Sequence, residues 1–207
     1  MELHRPVMAL LLAAMVAPVA LAQAGERAIV KEVVVPAPQA TVWAAWTTRE
    51  GIVGFFAPDA VIEARPGGAF HIHIDPLAAP GNRGADEMRF MALQPPRMLS
   101  FDWNAPPHLP EARAQRTFVV VRLEPVDERS TRVRLTHTGW GDGGQWDQAH
   151  AYFDRAWGNV LANLKKRYET GPIDWTGWMA QLKTMHDKAA AAKAAAPAPA
   201  AAASARQ

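Results

Sequence analysis

No part of this chain constrains its fold more than residues 142–169. Trp146, His150, Phe153, Trp157, Val160, Leu161, Leu164 and Tyr168 recur there at helical spacing on one face, and Gly171 and Pro172 then stop the run. Asp142, three residues before Gln145, has a capping-box pattern and predicts the start of the helix. A helix this long with one apolar stripe has to bury that stripe against another layer.

The preceding sequence supplies that layer. Strands are predicted over residues 28–35, 60–65, 70–75, 88–93, 98–103, 117–124 and 132–138, separated by turn signals such as Pro66-Gly67-Gly68 and Gln94-Pro95-Pro96-Arg97. Phe70, Ile72 and Ile74 alternate with His71, His73 and Asp75, so the first set is expected in the core and the second in solvent. Thr117, Val119, Val121 and Leu123 alternate with Val120, Arg122 and Glu124, and Val133, Leu135 and His137 with Arg132 and Arg134. The arginines prefer water, so His137 points inward with its neighbours. Between the first two strands, Val42, Trp43 and Trp46 have helical spacing, and Thr47 with Glu50 predicts a second short helix through Phe55. The expected fold is α+β: a curved seven-stranded antiparallel sheet, two short helices after the first strand, and a long C-terminal helix covering the apolar face.

The 49% hydrophobic content overstates the core, because 20 of the 41 alanines lie in residues 1–24 and 188–207. The first stretch reads as a signal peptide: Arg5, an apolar run over residues 7–21, then Ala22-Gln23-Ala24, with an uncleaved anchor as the alternative because a single Arg makes a weak n-region. Cleavage before Gly25 implies a periplasmic or secreted protein with no stable membrane span. Residues 25–171 then form the domain, residues 172–187 a helical extension, and residues 188–207 an Ala/Pro-rich disordered tail with nothing large to bury. With no cysteine, disulfides, thiolate metal sites and a cysteine nucleophile are excluded. A net charge of +2, with arginines interspersed among acids, lacks the basic stripe that nucleic-acid binding requires.

Val34 to Trp46 (VVPAPQATVWAAW), Thr47-Thr48-Arg49-Glu50, Pro66-Gly67-Gly68-Ala69-Phe70, the run from Pro95 to Trp103, the run from Thr131 to Trp140 and the helix around Trp157 together resemble the SRPBCC superfamily. More narrowly they are similar to the START-like, polyketide-cyclase-like branch named after the activator of the heat-shock protein 90 ATPase. The resemblance spans about residues 29–168. It implies a helix-grip fold with an apolar cavity between sheet and helix, in a family that hosts ligand carriers, cyclases, hydrolases and co-chaperone domains. An exported protein would meet neither a cytosolic chaperone nor ATP, so the leader argues against the family name as a description of function.

The cavity is expected to be walled by Trp46, Phe70, Ile72, Trp103, Trp146, Phe153 and Trp157, with His137 and His150 as orienting groups for a small hydrophobic or aromatic ligand. Each histidine has the alternative of closing the core through a backbone or water hydrogen bond. An acid–base enzyme using either one, and an interaction module for an envelope protein, are the competing readings. No catalytic residue, cofactor or metal site is assigned. His71, His73 and Asp75 share a strand face but are expected in solvent with no further ligand close by. Trp140, beside Gly141, Gly143 and Gly144, is placed in a mobile loop at the cavity mouth or acts as a structural staple; Trp175 and Trp178 are expected to pack back onto the domain.

Overall fold

The structure is a computed structural model that describes residues 27–195. The predicted leader, and the tail beyond residue 195, lie outside the described residues. Strand β1 (Ile29–Val35) leads into the short helices α1 (Gln39–Thr47) and α2 (Arg49–Val53). Strands β2 (Asp59–Ile62), β3 (Phe70–His73), β4 (Gly84–Ala85), β5 (Phe90–Gln94) and β6 (Met98–Trp103) follow, then the single-turn helix α3 (Pro110–Arg113). A long hairpin of β7 (Thr117–Asp127) and β8 (Ser130–Thr138) precedes the covering helix α4 (Gly144–Thr170) and a last helix, α5 (Thr176–Ala195).

All strand pairs are antiparallel, in a five-stranded sheet of order β1-β8-β7-β6-β5 and a three-stranded sheet of order β2-β3-β4. This corrects the expectation of seven strands in one sheet. The eighth strand, β4, is only two residues long and lies at the end of a Pro/Gly-rich loop. The sheets divide between β3 and β5, and a few backbone bonds cross the gap, among them Phe70 N–H to Met88 O at 2.8 Å and Phe90 N–H to Gly68 O at 2.9 Å.

The register aligns Val119 with His137, Val121 with Leu135 and Leu123 with Val133, so these side chains form successive buried rows as the alternation implied. Ala149, Phe153, Trp157, Leu161 and Leu164 of α4 are buried. Trp46, Phe55, Phe70, Phe90 and Phe101 fill the deepest layer, with the Phe70 and Phe101 rings stacked 4.1 Å apart. At roughly 1.5–3 kcal/mol per large apolar side chain buried, this face of α4 supplies most of what holds it to the sheet.

Four local expectations change. Thr48, not Thr47, caps α2: its Oγ1 accepts from Gly51 N–H at 2.9 Å, while Thr47 Oγ1 bonds back to Trp43 O. Asp142 does not cap α4; Gly143, at φ 69°, holds that position. Gln145 instead reaches α3, where its Oε1 accepts from Glu111 N–H at 2.8 Å. Ile74 is 37% exposed because the strand ends at His73, whereas His73 is buried at 3%. A carboxylate on the paired strand meets half of the ring's need: His73 Nδ1 lies 2.9 Å from Asp59 Oδ2, while the buried Nε2 has no hydrogen-bond partner and lies 3.8 Å from Asp86 Oδ1. Finally, α5 runs to Ala195, so residues 188–195 are helical and not disordered; alanine's helix propensity suffices without burial.

Gly51 is where α2 crosses α1. A Cβ there would lie 2.4 Å from Ala44 O and 2.5 Å from Ala45 O, both backbone atoms. Gly51→Ala is expected to cost about 1–3 kcal/mol in urea unfolding through overpacking; an unchanged midpoint would show that the two helices can separate freely.

Candidate ligand-binding cavity

Helix α4 does not close fully over the end of the sheet. An open cavity of about 240 Å³ lies between Trp103, Tyr152 and Phe153 on one side and Ile74, Asp75 and the β4 segment from Asn82 to Ala85 on the other. Asn104, Ala105, Pro106, Pro107 and His108 complete it. A smaller cavity of about 110 Å³ shares Ile74, Trp103, Tyr152 and Phe153 and extends along α4 past Ala156 and Trp157 to Val160.

Each wall has a local cause. Trp103 is the last residue of β6, and its indole packs 5.3 Å from Trp157 and 5.9 Å from Phe56. Pro106 and Pro107 prevent the strand from continuing, so the chain leaves the sheet there and turns, with Leu109 N–H bonded to Pro106 O. Gly84, at φ 142°, lets β4 lie against β3; a Cβ would come 2.6 Å from Ile72 O. Arg113 on α3 fastens the two loop walls together: Nη1 donates to Ala105 O, and Nη2 donates to Gly81 O at 2.6 Å and Gly84 O at 2.9 Å. Arg83 is held by the buried Asp86, whose carboxylate accepts from Arg83 N–H at 2.8 Å and Nε–H at 3.0 Å.

Of the nine residues expected around a ligand, Trp103 and Phe153 line both cavities and Trp157 lines the smaller one. Trp46, Phe70 and Ile72 are fully buried behind them. Trp146 packs with Ala105, Leu109, Ala112 and Ala149 in a separate cluster that backs the Ala105 wall. His150 is half-buried at 5.2 Å from Trp140, and burial foremost, then the charge of Arg27, lowers its pKa. Pattern reading passed over Tyr152, Asn104, Pro106, Pro107 and His108. The signal available for them was the proline pair, which ends a strand beside an inward tryptophan.

His137 borders neither cavity and is completely buried. Trp157 Nε1–H donates to its Nδ1 at 2.8 Å, which leaves the ring proton on Nε2. Nε2–H donates to Thr117 Oγ1 at 2.7 Å, and that hydroxyl donates in turn to Trp103 O at 3.3 Å. The relay therefore joins α4, β8, β7 and β6. Burial, reinforced by the nearby His150, pushes the pKa of His137 down to about 3, so the imidazole is neutral at ordinary pH. Both nitrogens are committed and no carboxylate orients the ring, an arrangement that joins helix to sheet and leaves no lone pair for acid–base chemistry. Trp140 donates its Nε1–H to His137 O at 3.0 Å and packs its ring 4.2 Å from the imidazole, as a staple over the network.

A five-stranded antiparallel sheet gripping a long C-terminal helix, with a cavity where they part, is the helix-grip arrangement. The family model for Activator of Hsp90 ATPase homolog 1-like protein matches residues 36–169, and the chain belongs to this family. Among solved structures it is similar to a protein from Mesorhizobium loti (21% identity, TM-score 0.56, covering 71% of this chain and 100% of that one). It is also similar to the Aha1 dimer from Colwellia psychrerythraea (20% identity, TM-score 0.54, 70% and 98% covered) and to CalU16 from Micromonospora echinospora (21% identity, TM-score 0.52, 83% and 90% covered). At these identities the likeness concerns the fold. No curated protein matches the chain. Among the described residues no helix is long and apolar enough to cross a membrane, and no group of three or more His, Cys, Asp or Glu side chains is placed to hold a metal ion.

Proposed function

We propose that this is an exported helix-grip protein that binds a small hydrophobic or aromatic molecule against the wall formed by Trp103, Tyr152 and Phe153, facing Ile74 and the segment from Asn82 to Ala85, in the cleft between sheet and helix. One observation carries the reading: an open, mostly apolar cavity lies at the place where sheet and helix separate, walled by Trp103, Tyr152 and Phe153. Ligand sites are concave and mostly apolar with a few polar groups at the edge, and here Asp75, Asn82, Arg83 and His108 supply those groups. At about 240 Å³ the space is below the usual roughly 300–1,000 Å³ of drug-sized sites and suits a molecule of one or two rings. Export rests on the leader pattern of residues 1–24, which also separates the protein from cytosolic chaperones. The saturated bonding of His137 weighs against an enzyme that uses His137 as its acid or base.

Native mass spectrometry of the protein purified from its own cell envelope tests both parts. The expected species begins at Gly25 and carries one small molecule, which is lost from an Ile74→Trp variant whose indole fills the cavity facing Trp103. A bare chain in both proteins would contradict the binding reading, and a chain retaining residues 1–24 would contradict cleavage.

A further inference from the structure

Helix α5 lies outside the residues matched by the family model, yet one face of it reaches the rim of the cavity. Three residues four apart define that face. Trp178 Nε1–H donates to Ile74 O at 2.9 Å, Leu182 is buried at 2% in a helix that is otherwise largely exposed, and His186 Nε2 lies 2.8 Å from Asp75 Oδ2. The approach to the helix is anchored too, by Ile173 N–H on Gly54 O at 3.0 Å and Trp175 Nε1–H on Val53 O at 2.6 Å.

The rim residues it holds are wall residues of the proposed site. Ile74 lines both cavities and Asp75 the larger one. Asp75 is a junction: one carboxylate oxygen takes His186, the other accepts from Leu77 N–H at 3.1 Å, and its own N–H bonds to Arg83 O at 2.9 Å. The loop that begins at Asp75 therefore returns at Arg83 and Gly84, on the same wall, and a pull on Asp75 moves both ends. On its other side the wall is fixed by His73 on Asp59 and by Arg113 on Gly84 O, so α5 is the attachment made by an added element.

We propose that α5 is a clasp that holds the Ile74–Asp75 wall against the cavity and sets how fast a ligand enters and leaves. This regulation rests on the binding reading above. The two polar contacts lie at the surface, where such contacts are weak, so the clasp opens locally without global unfolding.

Stopped-flow binding of anilinonaphthalene sulfonate to the full chain, together with amide hydrogen exchange, tests the clasp in His186→Ala and, as a milder change that keeps the ring, Trp178→Phe. Exchange at Leu77 and its neighbours is expected to rise roughly tenfold. Probe association and dissociation rates are expected to rise together by about threefold or more, with less change in affinity. Unchanged probe rates in both variants would overturn the clasp while leaving cavity binding intact. If the unaltered protein binds no probe, or binds it equally well with Ile74→Trp in place, a change that leaves the Ile74 carbonyl bond to Trp178 available, the cavity reading falls and the clasp falls with it.

Discussion

Acidification from pH 7 to pH 4 is expected to cost the folded protein about 3 kcal/mol through His137 alone. The folded-state pKa is about 3, against 6.5 for the unreacted side chain, so the unfolded chain takes up this proton first. The stabilisation is complete above about pH 6.5 and is lost progressively as the pH falls toward 3. Protonation places a charge in a fully buried site, and it also destroys the Nδ1 lone pair that accepts from Trp157. His137→Gln isolates this contribution, since an amide presents one acceptor and one donor to Trp157 and Thr117 but does not titrate. Urea unfolding across this range should show the variant less stable than wild type at pH 7, with the difference shrinking or reversing by pH 4. Parallel profiles would mean that His137 is not the buried neutral group described above.

Trp157→Ala is expected to be the most damaging single substitution on α4. Truncating a buried tryptophan costs about 3–5 kcal/mol, and leaving His137 Nδ1 without a donor adds roughly 1–3 kcal/mol more. The ring also stacks with Phe153 at 6.1 Å and touches Trp103, so the cavity wall loses its backing. Trp157→Phe keeps most of the packing and removes only the N–H, so its cost should be confined to the hydrogen-bond part. Chemical denaturation measures both. A loss below about 1 kcal/mol for the alanine variant would show that the Trp157–His137 relay does not fasten helix to sheet.

The parts of the fold that were legible in sequence are those where one short stretch carries its own answer. Arg132 and Arg134 fix the outer face of β8, so Val133, Leu135 and His137 had only one side left. The stripe on α4 similarly needed no knowledge of its partner. Where the deciding group is remote, pattern fails. The burial of His73 depends on Asp59, fourteen residues earlier on another strand. Gln145 has an equally good use as a cap for its own helix or for α3, and only the tertiary arrangement chooses. The cavity has the same cause: inward aromatic residues were identified, but whether Trp46 and Phe70 fill their space while Trp103 and Phe153 leave some depends on volumes contributed by α2, the proline pair and β4 together. The displacement of the site from His137 toward Pro106 and Tyr152 follows from that.

The central claim, a ligand held against the Trp103–Phe153 wall and facing the segment from Asn82 to Ala85, is tested most directly by a heteronuclear NMR titration with anilinonaphthalene sulfonate. The account expects saturable shifts at the Trp103 indole N–H and at the amides of Ala85, Asn104, Ala105 and Phe153, with Val120 and Arg134 on the outer face unmoved. Shifts that fail to saturate, or that spread over the outer face while those around Trp103 stay still, would contradict it.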